Sequence, residues 1–183
     1  MQIQNQFDLP LAPAAAWPIL MNVPQTAACF PGASLIEQIS DAHYKGRVTV
    51  KLGPLTMVFA GNLHIAQRDD AAHSATIKAA WAETKGRGNA NALTRFSLIE
   101  QAGQSGGTHV SMTSELQLAG QVAQYGRGVG MISALSAQLI EAFAQNLRAS
   151  LAASTGGTPP PGAAAEISGL TLMAKALGSR LKG

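Results

Sequence analysis

Between Ser34 and Gly120, apolar and polar residues alternate in one short run after another, and turn-forming residues separate the runs. Alternation with a period of two puts one set of side chains on each face of a strand, so it fixes both the element type and its buried side. In "YKGRVTVKL", Gly46, Val48, Val50 and Leu52 share one face, while Lys45, Arg47, Thr49 and Lys51 share the other. The same reading gives inward sets of Met57, Phe59, Gly61, Leu63 and Ile65, then of Ala75, Ile77, Ala79 and Trp81. Ala90, Ala92, Phe96 and Leu98 follow, and Val110, Met112, Leu116 and Leu118 close the series. Ser40-Asp41, Gly53-Pro54, Asp69-Asp70, "KGRGN" and "AGQSGG" stand between the runs at hairpin spacing. The pattern predicts an antiparallel meander of six strands. A first strand precedes it, with Ile3, Phe7, Leu9 and Leu11 on its inner side.

Two short helices are expected after that first strand. Pro13 suits a first helical turn and opens a segment carrying Trp17, Leu20 and Met21; "VPQTAACFPG" forms a second, stopped by Pro31-Gly32. A long helix is expected from about Gln121 to Leu151, with Val122, Tyr125, Val129, Ile132, Leu135, Leu139 and Phe143 turned toward the sheet. The fold class is therefore α+β: a curved antiparallel sheet of about seven strands wrapped around a long C-terminal helix, with two short helices after the first strand. The domain occupies residues 1–153. Residues 154–165, including "STGGTPPPG", read as a Pro/Gly/Ala linker, and residues 166–183 regain helical period. Ile167, Leu170, Leu177 and Leu181 form an apolar stripe on that last segment, which suits a membrane interface, a partner's groove or a place against its own domain.

Composition narrows the function. Hydrophobic residues make up 46% of the chain, charged residues 13% and aromatics 5%, so the interior is built of small side chains. Small residues on a concave sheet serve either a cavity or close helix packing. A net charge of +3 with no basic cluster longer than a pair argues against nucleic acid. The single cysteine, Cys29, excludes an internal disulfide and fits a reducing, cytoplasmic setting; the first residues lack the pattern of a secretory signal. His43, His64, His73 and His109 show no metal-ligand spacing, so no metal is expected. Asp69 and Asp70 read as turn residues, and Glu83, Glu100 and Glu115 as outward or rim positions. No basic neighbour activates Cys29, and no G-x-S-x-G surrounds a serine, so no catalytic residue is assigned. What remains is a binder of apolar molecules. Phe59, Trp81, Phe96 and Met112, with Val122, Tyr125, Val129 and Ile132 near the start of the long helix, are the expected lining; Thr94, Ser114 and Tyr125 are its polar candidates. In "QYGRGVG", Gly126, Gly128 and Gly130 do not match the G-x-G-x-x-G of a dinucleotide loop. They either let the helix approach the sheet or leave room beside Tyr125.

The layout resembles the START-like helix-grip fold of the polyketide cyclase superfamily. Within it, "ACFPG" (Ala28 to Gly32), "YKGRVTVKLGPLTMVFAGNL" with Gly53-Pro54 and Phe59-Ala60-Gly61, "KGRGNANA", and "GTHVSMTSELQLAGQVAQYGRG" together resemble the G-subunit family of carbon monoxide dehydrogenase, over residues 1 to about 151. The resemblance implies a non-enzymatic accessory protein that brings a molybdenum hydroxylase, such as carbon monoxide dehydrogenase, to the cytoplasmic membrane. It would sit peripherally at the inner face, as a monomer or weak dimer, with no cofactor beyond a bound quinone or lipid. A polyketide cyclase or aromatase, and a general lipid-binding protein, are the alternatives.

Overall fold

The computed structural model describes residues 1–52, 55–101, 106–125 and 129–156. Chain order is β1 (Gln2–Leu9), α1 (Pro13–Leu20), α2 (Val23–Cys29), β2 (Ala33–Gln38), β3 (His43–Leu52), β4 (Leu55–Asp69), β5 (Ser74–Glu83), β6 (Gly88–Glu100), β7 (Thr108–Gly120), α3 (Gln121–Tyr125) and α4 (Val129–Gly156). The strands form one sheet in the order β1-β7-β6-β5-β4-β3-β2. All neighbours are antiparallel. β2 to β7 are the expected meander, and β1 pairs with the last strand. β1 and β2 are therefore the two edges, and α1 and α2 carry the chain from one edge to the other.

Local chemistry explains the short helices. Pro13 occupies the first turn of α1, and the Asn22 side chain caps α2 by accepting the Gln25 N–H at 3.2 Å. The expected long helix appears as α3 and α4, with residues 126–128 between them outside the described residues. α4 continues to Gly156, past the expected end at Leu151 and through the first residues assigned to the linker. The rest of that linker, and the terminal helix with Ile167, Leu170, Leu177 and Leu181, lie outside the described residues.

Register places the inward sets as the alternation reads them. Phe7 faces Val110, Phe96 faces Met112, Trp81 faces Ala90 and Val48 faces Phe59. These residues pack into two clusters. The larger joins Phe7, Leu9, Trp17, Leu98, Val110, Phe143 and Leu147, so it ties α1 and the C-terminal part of α4 to one end of the sheet. Phe7 meets Phe143 edge to face at 5.7 Å. The smaller joins Met57, Phe59 and Val122, with Trp81 and Leu118 against it, under α3.

Trp17 corrects one expectation. Asp69 behaves as a turn residue, its Oδ1 accepting the N–H groups of Ala71 and Ala72. Asp70 does not. Its Oδ1 accepts the Trp17 indole N–H at 2.6 Å and the Arg68 Nε–H at 2.7 Å, and these bonds lower its pKa. A buried indole needs an acceptor, and the β4–β5 turn supplies one from far along the chain.

Gly46 and Gly61 face each other across β3 and β4, where Gly46 lies beside the Trp81 ring and Gly61 lies against the β5 backbone. A methyl built on Gly46 would stand 3.6 Å from that ring, while one on Gly61 would run into the Ala80 carbonyl. Because backbone cannot give way as a side chain can, Gly61→Ala is expected to destabilise the fold by about 2–3 kcal/mol, read by chemical denaturation.

Candidate functional site

The two clusters occupy opposite ends, and the middle of the concave face is different. Leu63, Ala79, Ala92, Thr94 and Leu116 all point inward by register, yet each remains partly exposed. An inward residue in a closed two-layer interior is normally sealed. Here solvent reaches it, so the sheet's middle forms an accessible trough. On the opposing side Ile132 is buried, while Leu135, Ser136 and Leu139 keep partial exposure. The trough is chiefly aliphatic, with Trp81 at the end where the smaller cluster begins.

The expected lining residues divide between the ends. Phe59, Trp81 and Val122 come together in the smaller cluster, where Phe59 and Val122 are buried and Trp81 is partly exposed. Phe96 belongs to the opposite end, buried with its ring 5.9 Å from Trp17. Met112 packs against that larger cluster and retains some exposure. Ile132 faces inward on α4; the side chains of Tyr125 and Val129 lie outside the described residues. Gly126 and Gly128 are likewise outside them. At Gly130, a Cβ would meet nothing within 4 Å, so close approach to the sheet is not what this glycine serves.

Glu83 is the clearest departure from expectation. An outward or rim position is wrong for it: the inward parity of β5 runs through Ala75, Ile77, Ala79 and Trp81 to Glu83, which is 4% exposed and faces Phe59. Burial is tolerable because the charge is fully engaged. Oε1 accepts Arg87 Nη2–H at 2.7 Å, and Oε2 accepts the backbone N–H groups of Lys85 at 2.9 Å and Arg87 at 3.1 Å. Arg87 Nη2 also donates to the Thr56 carbonyl at 3.2 Å, and the Arg87 carbonyl accepts the N–H of Val122. The Arg87 guanidinium hydrogen bond, helped by the two backbone donors, overcomes the opposing effect of burial and brings the carboxyl down to about 2. One ion pair thus ties β4, the β5–β6 turn and the start of α3 at the smaller cluster.

Polar groups also enter the trough. The Thr94 and Ser114 hydroxyls bond at 2.9 Å, and Asn5 Nδ2 donates to Ser136 Oγ on α4 at 2.8 Å. Asn5 and Ser136 are not among the residues the sequence singles out. The signal was present: Asn5 has the inward parity of Ile3, Phe7 and Leu9, and Ser136 lies one turn beyond Ile132. Cys29 is buried, which raises its thiol pKa and agrees with a structural role. On the outer face, a groove of about 630 Å³ is lined by Gln67, Ser74, Thr76, Arg95 and Thr113. It is polar and lies on the other side of the sheet from the trough. His43 and His64 are brought together across β3 and β4 and stack at 3.9 Å. Among the described residues no group of three or more His, Cys, Asp or Glu could hold a metal ion.

A curved seven-stranded antiparallel sheet, closed by a long C-terminal helix and two short ones, defines a START-like helix-grip protein. Solved structures agree on that fold. A conserved protein from Geobacillus kaustophilus matches with a TM-score of 0.71 at 19% identity, covering 84% of this chain and 97% of its own. An aromatase/cyclase from a Streptomyces species matches at 0.59 and 12%, covering 86% and 98%. A START superfamily protein from Mycobacterium smegmatis matches at 0.50 and 13%, covering 80% and 94%. No curated protein matches the sequence. The family model of CoxG, the G-subunit of carbon monoxide dehydrogenase, matches residues 6–152, and the chain belongs to that family. No helix among the described residues is long and apolar enough to cross a membrane.

Proposed function

We propose that this protein is a non-enzymatic accessory protein that holds a lipophilic molecule, such as a quinone, between its sheet and α4. The observation that carries the reading is the partial exposure of inward aliphatic residues between two packed ends, since a surface of that kind is costly to leave against water. Its family name supports carbon monoxide dehydrogenase as the partner; in this proposal the partner is a molybdenum hydroxylase of that kind, to which the bound molecule would give access to membrane-held electron carriers. Peripheral contact with the inner face of the cytoplasmic membrane belongs to the same proposal, with Ile167, Leu170, Leu177 and Leu181 as its contacting residues. The buried glutamate at one end of the trough, Glu83, is bound up with Arg87, which leaves it poorly suited to proton transfer.

Trp81 provides a direct test, because a quinone within van der Waals reach quenches indole fluorescence. Titrating the protein with a short-chain ubiquinone is expected to quench emission saturably, and Trp81→Phe to remove most of the change while Trp17 stays silent. Quenching that is linear in quinone and indifferent to Trp81→Phe would count against a site in the trough.

A further inference from the structure

The trough is aliphatic along most of its length, yet two hydrogen-bonded pairs of polar side chains lie near each other within it. Ser114 faces Ile3 on β1 and Thr94 on β6; Asn5 faces Met112, one inward position along from Ser114. Inward positions related in this diagonal way lie about 7–8 Å apart or somewhat less, within reach of one small ring ligand. α4 brings Ser136 onto Asn5 from the other side. Asn5, Thr94, Ser114 and Ser136 are each partly exposed, so the cluster opens to the trough and is not sealed in the core.

Counting donors shows what the cluster lacks. Asn5 Nδ2 uses one of its two N–H groups on Ser136 Oγ. Ser136 accepts that bond, and among the described residues its own O–H does not return to the α4 backbone, as the Ser154 hydroxyl does to Ser150. In the Thr94–Ser114 pair one hydroxyl donates and the other accepts, which leaves the acceptor's O–H unspent. Three donors therefore remain for the trough: an amide N–H and two hydroxyls.

We propose that this quartet is a polar station that selects ring ligands bearing a carbonyl oxygen over hydrocarbons of the same shape. A carbonyl oxygen can accept from these donors, whereas a bare hydrocarbon displaces the station's water and returns nothing for it. The inference rests on the trough being a ligand site, and it assigns the chemistry recognised there.

Affinities of 1,4-naphthoquinone and naphthalene, which share a ring skeleton, test it in the wild-type protein and in the double variant Asn5→Leu/Ser136→Ala. Alanine is the most favourable helix residue, so the α4 change preserves the fold. The double variant is expected to lose about ten-fold in naphthoquinone affinity, the worth of one to two hydrogen bonds, while naphthalene changes by less than about two-fold. Thr94→Val, which keeps shape and deletes a hydroxyl, is expected to give a smaller loss of the same kind. Equal losses for both ligands, or an unchanged ratio, would overturn the station and leave the trough standing. If the wild-type protein binds neither ligand, the ligand-carrier reading itself falls, and the station with it.

Discussion

Glu83→Gln is expected to lower the melting temperature by about 10 °C at pH 7, the largest stability effect of any single polar substitution in the structure. Glutamine keeps the shape and removes the charge. The Arg87 guanidinium, whose side chain is 24% exposed against 1% for Glu83, would then stand beside an apolar cluster without the carboxylate that now balances it. The pH dependence follows from the direction of the shift. The carboxyl titrates at about 2 in the folded protein, below its usual 4.5. A depressed carboxyl contributes stability in full above its unfolded value, and that contribution fades as pH falls toward the folded value. The gap between wild type and variant should therefore be constant from about pH 7 down to about pH 5, then narrow between about 4.5 and about 2. Thermal melts followed by circular dichroism across that range check both statements. A gap of under about 2 °C at pH 7, or one that widens in acid, would show that the ion pair does not hold this end of the molecule.

The second large effect concerns the trough. Ala92 sits on β6 opposite Ala79 and beside Leu116, partly exposed although it faces inward. Ala92→Trp is expected to reduce quinone affinity more than about ten-fold while changing stability by less than about 1 kcal/mol, because the indole enters space that is already there. The same substitution in a filled interior forces strain of about 1–3 kcal/mol or more. Measuring affinity and unfolding on one preparation separates the two cases. Large destabilisation would mean the trough is closed, and retained affinity would mean the ligand sits elsewhere.

The alternation of "YKGRVTVKL" and its neighbours was enough to give the inward sets, because period two admits one buried face, and the turn residues at hairpin spacing gave the antiparallel meander; the place of β1 beside β7 was not legible. Residues at the ends of elements were harder. Glu83 ends β5 at a hairpin, where polarity usually means solvent. Its burial depends on Arg87 at i+4 and on two backbone donors, a combination that exists only once the turn has formed. Asp70 looks like a turn residue, and its bond to Trp17 spans a sequence separation that periodicity cannot see. The aromatic residues mislead for a related reason. Phe59 and Phe96 both carry the inward parity expected of a trough lining, yet their volume is used to pack its two ends. The middle is left to Ala79, Ala92 and Leu63, whose small size was legible, but which admitted either close packing or open space. Asn5 and Ser136 were visible by parity and helical spacing, yet a polar residue in an apolar stripe carries no function until its partner is known.

In the proposed function, the space between sheet and α4 is occupied by a lipophilic molecule. Native mass spectrometry of the freshly purified protein, paired with organic extraction of the same sample, tests it most directly. A mass excess over the apo chain is expected that disappears on extraction, matches a quinone in the extract, and is lost in Ala92→Trp. A chain that flies at its apo mass, yields no extractable quinone or lipid, and takes up none when supplied would contradict it.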